Sequence, residues 1–188
     1  MNFSLHPDPA TPLPSSPIGE AEVTLREATA ADGEAIARIY NPYILETTIT
    51  FEEEAVSGEE MARRVAEVQA QGLPWLVAEV RGPGQVQVVG YAYAVRFRPR
   101  AAFRHSVESS VYLDGAARGR GLGRVLYEAL LARLRAAGRH AVIASIALPH
   151  PQSVALHERM GFAPVGLLRE VGFKFGRWVD VGYWQVNL

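Results

Sequence analysis

Residues Arg118 to Gly123 read RGRGLG, and they sit between the alternating run SVESSVYL and the long helical pattern LGRVLYEALLARLRAAG. A strand, a turn with three glycines in six residues and a helix in direct succession leave little freedom in the local topology. Glycines let backbone N–H groups converge without Cβ interference, and the helix that starts there adds the positive end of its dipole. The predicted task is to hold phosphate, with Arg118, Arg120 and Arg124 adding charge. The competing reading is a Gly-rich turn whose arginines are solvated. A dinucleotide fingerprint needs an acidic residue about 20 positions on, and a nucleoside-triphosphate loop ends in Gly-Lys-Ser/Thr. Neither is present, which leaves R-x-x-G-x-G, Arg118, Gly121 and Gly123, suited to a pyrophosphate between strand and helix.

With 188 residues, 48% of them hydrophobic, the chain fits one domain with a sizeable core. The absence of cysteine excludes disulfides, thiolate metal sites and a cysteine nucleophile, and no metal is expected. A formal net charge of −1 gives no reason to expect nucleic acid or an anionic membrane as partner. No apolar run reaches the roughly 18 residues of a membrane span, and a cytoplasmic location is the expectation. Residues 1–20 are rich in Pro and Ser, lack the features of a secretory signal and read as a disordered tail.

Order is expected from Val23, in the strand VTLREA. Thr29 precedes AADGEAIARIY, with Asp32 three positions on in the capping-box place. Pro42 is expected to stop that helix from running on unchanged. The segment Asn41 to Phe51 then reads either as a binding loop or as a loop pinned to the core by Tyr43, Ile49 and Phe51. A second helix covers roughly Gly58 to Gln71, and PWLVAEV and VQVVGYAYAVRF read as antiparallel strands. Arg96, Arg98 and Arg100 close the latter, as a solvated strand end or an anion site.

In Ser106–Leu113, alternation puts Val107, Ser109, Val111 and Leu113 on one face and Glu108, Ser110 and Tyr112 on the other. A carboxylate in the middle of such a strand is expensive to bury unless something pairs it or uses it. Glu108 is therefore the first candidate for catalysis, the alternative being an ion partner of Arg98, Arg100 or His105. Leu122, Val125, Leu126, Ala129, Leu130 and Leu134 give an amphipathic helix ending at Gly138, and HAVIASIAL reads as a central strand. HPQSVALHERMGF begins a last helix, and APVGLLREVGFKFGRWVDVGYWQVNL reads as two strands joined through GFKFGRW.

VESSVYL, the R-x-x-G-x-G loop, SVALHERMGF and GFKFGRWVDVGYWQ together resemble the GCN5-related N-acetyltransferases, and within them the phosphinothricin and methionine sulfoximine N-acetyltransferases, over residues 23–188. The resemblance implies a mixed α/β domain over 21–188, with a central mixed, mostly antiparallel twisted sheet flanked by helices. It implies acetyl-CoA as co-substrate, with the pyrophosphate on Arg118, Gly119, Arg120, Gly121, Leu122, Gly123 and Arg124. The pantetheine arm would insert between splayed strands beside Val111, Tyr112 and Leu113. Ser153 matches a cofactor-contacting serine, and His150 stands where asparagine is usual. Glu108 matches the proposed general base, and His157 the position of a tyrosine that protonates the leaving thiolate, although a lone helical histidine is also an ordinary structural residue.

By the same resemblance the acceptor lies against Phe51, Arg98, Arg100, Phe103 and Ser110, with Phe173, Phe175, Trp178 and Tyr183 as a further wall. Arg98 stands where lysine also occurs, and Phe103 where some relatives carry tyrosine. The implied reaction is acetyl transfer to the α-amine of a small amino acid analogue, in a ternary complex and a homodimer. The alternatives are another small amine or a peptide N-terminus as acceptor, or a non-catalytic acyl-CoA sensor.

Overall fold

The computed structural model describes residues 16–18, 21–82 and 85–188. Strands β1 (Ser16–Ile18), β2 (Ala21–Glu27), β3 (Trp75–Gly82), β4 (Gln85–Arg96), β5 (Ser106–Leu113), β6 (Ala141–Leu148), β7 (Ala163–Lys174) and β8 (Arg177–Asn187) form one sheet in the order β1-β2-β3-β4-β5-β6-β8-β7. Every pairing is antiparallel except β5 with β6. Helices α1 (Gly33–Glu46), α2 (Gly58–Ala70), α3 (Leu122–Ala136) and α4 (Pro151–Arg159) flank it. This is the mixed, mostly antiparallel architecture expected from the sequence. The stretch read as a tail, 1–20, lies outside the described residues except for Ser16–Ile18, which pairs as the edge strand. No helix among the described residues is long and apolar enough to cross a membrane.

The amphipathic patterns supply the core as the periodicities predict. Ile36, Ile39 and Tyr40 of α1, Met61, Val65 and Val68 of α2, and Leu122, Leu126, Leu130 and Leu134 of α3 are all buried. Tyr40 and Tyr43 meet Tyr112 edge-to-face at 4.9 and 5.1 Å, and Trp75, Tyr91 and Tyr93 stack on the same face of the sheet. Ser57 caps α2, its side chain accepting from the Glu60 N–H.

Helix α1 departs from expectation. It continues through Pro42 to Glu46, so that half of the Asn41–Phe51 stretch is helix. Proline removes one N–H and crowds the preceding turn, but packing outweighs that here. Tyr43 and Ile44 are buried, and the Asn41 amide exchanges two hydrogen bonds with the Val56 backbone. The segment left to act as a loop between the helices is 47–57.

At the start of α1, Asp32 is 6% exposed and takes two hydrogen bonds from Arg26 at 2.7 and 2.8 Å, plus one from the Thr29 N–H at 2.7 Å. The Arg26 hydrogen bonds hold its pKa below the ordinary carboxylate value of 3.8. A carboxylate depressed in the folded state contributes stability that is complete above its unfolded pKa and is lost as pH falls through the folded one. Asp32→Asn is therefore expected to lower the unfolding free energy by about 1.5–3 kcal/mol at pH 7, with the difference from wild type shrinking below pH 3.8. Denaturant titrations at the two pH values check this, and an equal deficit at both would contradict it.

Candidate active site

Strands β5 and β6 pair for three residues only, Ser106 with Ala141, Val107 with Val142 and Glu108 with Ile143. Both then continue with other partners. β5 follows β4 to Leu113 opposite Gly90, and β6 follows β8 to Leu148 opposite Asp180. At the fork Ser109 Oγ donates to the Ile143 carbonyl at 3.3 Å and meets Tyr127 Oη of α3 at 2.5 Å. Beyond it, one edge of β5 has no strand beside it.

A side chain covers the far end of that edge. Tyr43 Oη donates to the Leu113 carbonyl at 2.7 Å and accepts from the Leu113 N–H at 3.1 Å. By the two-residue alternation of an antiparallel ladder, Val111 presents its N–H and C=O on the same side as Leu113. Of the three positions expected to meet a cofactor arm, then, Val111 offers backbone groups into the fork, Leu113 has both of its own engaged, and Tyr112 turns a buried phenol into the aromatic cluster.

The loop that follows ends where α3 begins. Asp114 accepts from the Ala116 N–H and pairs with Arg38 at 2.7 Å, which fixes the turn before Arg118. Gly119 and Gly121 have φ of +76° and +80°, and a Cβ on either would meet nothing within 4 Å. Their conformation requires glycine, while the space beside them is open. Leu122 and Gly123 open α3 with first-turn N–H groups that no intrahelical carbonyl reaches. The Arg118 guanidinium lies over the Tyr43 ring at 4.7 Å from its centroid. Arg120 is exposed beside it, whereas Arg124 is turned along the helix to Glu128 at 2.7 Å. An anion-binding cradle fits these residues, with Arg118 and Arg120 as its cations.

Glu108 lies half-buried on the last paired rung, and Ser145 Oγ of β6 donates to its Oε1 at 2.5 Å across the fork. Among the described residues neither Arg98 nor Arg100 pairs with it, and His105 Nδ1 meets the Gly138 carbonyl instead. Ser110 stands opposite Tyr93 on the same face. Arg98, Arg100 and Phe103 are exposed in the turn between β4 and β5, Arg98 over the Phe97 ring at 4.9 Å, and neither arginine has a carboxylate partner among the described residues.

On α4, His150 acts as the N-cap, its Nδ1 accepting from the Ser153 N–H at 3.2 Å, and burial lowers its pKa. His157 is 4% exposed and packs edge-on against Tyr127 and Phe162 at 5.0 and 5.2 Å. Its Nδ1 meets the Ser153 carbonyl at 2.7 Å, which places the ring proton there and leaves Nε2 as an acceptor. Burial lowers its pKa too, so the ring is neutral at neutral pH. Phe51 packs on Gly172, where a Cβ would come within 2.1 Å of the ring. The adjoining Thr50 carbonyl accepts from Lys174 Nζ at 2.7 Å. The C-terminal hairpin thereby holds the 47–57 loop. Phe173, Phe175 and Trp178 are exposed at its tip.

Ser145 and Lys174 were not singled out by their sequence, and Tyr43 only as a core anchor of its own segment. Ser145 carried a signal, as the single polar residue inside AVIASIAL. Tyr43 and Lys174 act on chain segments 70 and 124 residues away, which no local pattern reveals.

The family described as acetyltransferase (GNAT) domain matches residues 25–182. A phosphinothricin N-acetyltransferase of Streptomyces viridochromogenes is 42% identical over 163 residues, 87% of this chain and 86% of the relative. An L-methionine sulfoximine/L-methionine sulfone acetyltransferase of Pseudomonas paraeruginosa is 40% identical over 168 residues, 88% of this chain and 94% of the relative. The crystal structure of a GNAT superfamily phosphinothricin acetyltransferase from Sinorhizobium meliloti in complex with AcCoA superposes with a TM-score of 0.83 at 43% identity, covering 88% of each chain.

Tyr43→Phe keeps the ring under Arg118 and removes the oxygen that meets both Leu113 groups. It is expected to lower the unfolding free energy by about 1–3 kcal/mol, the cost of leaving buried backbone groups unpaired. A denaturant midpoint equal to that of wild type would show that water replaces the phenol.

Proposed function

The chain belongs to the acetyltransferase (GNAT) domain family, and from that membership we propose that it moves the acetyl group of acetyl-CoA to the α-amine of a small amino acid analogue such as phosphinothricin, methionine sulfoximine or methionine sulfone. The observation that carries the reading is the fork itself. A free β5 edge at Val111 lies between a glycine cradle on one side and the Glu108 carboxylate on the other. Relatives at about 40% identity acting on these amino acid analogues support the acceptor class.

In this reading the α3 N-terminus, the Gly119–Gly123 backbone, Arg118 and Arg120 hold the pyrophosphate, and Val111 aligns the arm so that the thioester ends near Glu108. His150 and Ser153 serve the cofactor side from α4, where His150 acts by capping the helix rather than through a free ring donor. Arg98 and Arg100, with Phe51, Phe103 and Ser110, receive the acceptor and its anionic groups.

The amine nitrogen attacks the thioester carbonyl directly. A C–N bond forms, the C–S bond breaks, and one proton leaves the nitrogen. An α-amine has a pKa of about 8, so most of it is protonated at neutral pH. Glu108, held by Ser145, takes the ammonium proton before attack and passes it to solvent, then takes the second proton once the C–N bond has formed, and the leaving thiolate, with an ordinary pKa near 8.5, takes one from water. His157 is then a positioning residue for α4 and Tyr127, since its proton is committed to the Ser153 carbonyl. Juxtaposition of the two substrates contributes at least as much as the base.

Thiol release from acetyl-CoA with methionine sulfone, methionine sulfoximine, phosphinothricin, glutamate and a basic peptide tests the reaction. Release is expected with the first three. Glu108→Gln should reduce kcat by about 10²–10⁴-fold while leaving acetyl-CoA affinity within a factor of a few. Cofactor binding with no release for any acceptor would favour a sensor, and release with the peptide alone would favour N-terminal acetylation.

A homodimer belongs to the same proposal. Val165, Leu167, Leu168 and Val171 of the outermost strand β7 are 44–58% exposed, an apolar edge of the kind that self-association covers. Sedimentation should give twice the chain mass for wild type and the chain mass for Leu167→Arg. A wild-type monomer would remove the dimer from the proposal.

A further inference from the structure

Asp114 puts a carboxylate four residues before Arg118, at the entrance to the glycine loop. A negative charge at that place opposes anion binding in two ways. It repels an incoming phosphate, and it offers the loop's own arginines a partner closer at hand than any ligand.

Helix α1 engages that carboxylate. Arg38 Nη1 donates to Asp114 Oδ2 at 2.7 Å, and Nη2 of the same guanidinium donates to the Val88 carbonyl of β4 at 2.8 Å. The other carboxylate oxygen accepts from the Ala116 N–H at 3.0 Å, and the Asp114 N–H reaches the Val89 carbonyl at 2.8 Å. Arg118 rests instead on the ring of Tyr43, with no carboxylate partner among the described residues. Arg38 and Tyr43 are five residues apart on α1, a rise of about 7.5 Å along its axis. One helix thus keeps the two opposite charges of the loop entrance apart, Asp114 by an ion pair and Arg118 by an aromatic face. The side chains of Arg38 and Asp114 are 45% and 24% exposed, and a pair so placed adds little to stability. Its larger effect is on local charge, which is zero with the pair intact and −1 once Arg38 is neutral.

We propose that Arg38 is a positioning residue for the cofactor. It neutralises Asp114 and keeps it from pairing with Arg118, so that the Arg118 guanidinium stays available to the pyrophosphate of acetyl-CoA. The inference rests on the acetyl-transfer reading and adds the residue that sets the charge of its cradle. A latch that only shaped the turn would weaken binding whichever partner was removed. A neutralising partner gives opposite signs for the two removals.

Calorimetric titration with acetyl-CoA tests this on Arg38→Gln, Asp114→Asn and the double variant. Glutamine keeps a donor for the Val88 carbonyl, and asparagine keeps an acceptor for the Ala116 N–H. The two charges of a pyrophosphate at about 8 Å from one carboxylate in water correspond to about a fivefold change in Kd. Arg38→Gln should raise Kd by about that factor. Asp114→Asn, which leaves Arg38 unpaired, should lower it, and the double variant should return to within about twofold of wild type. Salt at about 0.5 M should shrink these differences. In turnover with methionine sulfone, the loss in Arg38→Gln should fall on KM for acetyl-CoA and leave kcat unchanged, with a denaturant midpoint close to that of wild type.

Weaker binding in Asp114→Asn would overturn the inference, as would a double variant no better than Arg38→Gln or a deficit that salt leaves intact. Failure of wild type to bind acetyl-CoA would instead strike the acetyl-transfer reading. Titration with inorganic pyrophosphate then decides the role of Arg38. The same order of affinities among the four proteins would uphold it, and no binding, or no such order, would overturn it as well.

Discussion

The parallel pairing of β5 with β6 stops after Glu108 and Ile143 because each strand is bound at greater length on its other side. β5 shares seven ladder positions with β4, and β6 shares eight with β8. Each partner carries its strand along its own twist, and the two diverge. Opening a sheet exposes backbone groups that must find partners. The fold meets that demand locally through Ser109 on the Ile143 carbonyl and Tyr43 on both groups of Leu113. On the β5 side, what remains without a strand partner is short and lies at Val111, opposite the fork-facing edge of β6 at Ser145 and Ala147. The glycine loop, the α3 N-terminus and Glu108 are all placed relative to that fork, which is why one topological break organises the whole reactive side.

The parts legible in the sequence were those with a local physical cause. RGRGLG announced a left-handed turn before a helix, and Gly119 and Gly121 adopt positive φ as that reading requires. SVESSVYL put Glu108 and Ser110 on the face opposite Ser109, and the observed register keeps them there. Thr29 and Asp32 form their reciprocal cap. What stayed hidden was decided by tertiary context. Pro42 argued for a helix end, and burial of Tyr43 and Ile44 overrode it. Arg124 is paired along its helix with Glu128 at 2.7 Å. His157 carried no sequence sign that its Nδ1 would be tied to the Ser153 carbonyl.

Charge is distributed with a clear division. Beside the glycine loop Arg118 is stacked on an aromatic ring and has no carboxylate partner among the described residues, so an incoming anion has no ion pair to displace. The histidines near it, His150 and His157, are held neutral by burial, which keeps α4 from adding further positive charge. On the other side the arginines of α2 are paired with Glu52 and Glu60, leaving Arg98 and Arg100 as the uncommitted cations at the end of β4. Binding strength for an anionic group on either side should therefore weaken with salt, since these are exposed charges.

The buried bond between Lys174 and the Thr50 carbonyl joins positions 124 residues apart, and Phe51 rests on Gly172 of the same late strand. A nascent chain emerging from the ribosome has its first helices, its glycine loop and its central strands available long before residue 174 exists. The surface around Phe51 is thus set only once the late strand that carries Gly172 and Lys174 has been made. Truncation at the C-terminus would remove the constraint on a loop near the other end of the sequence, while leaving α1, α2 and the start of the sheet their own contacts.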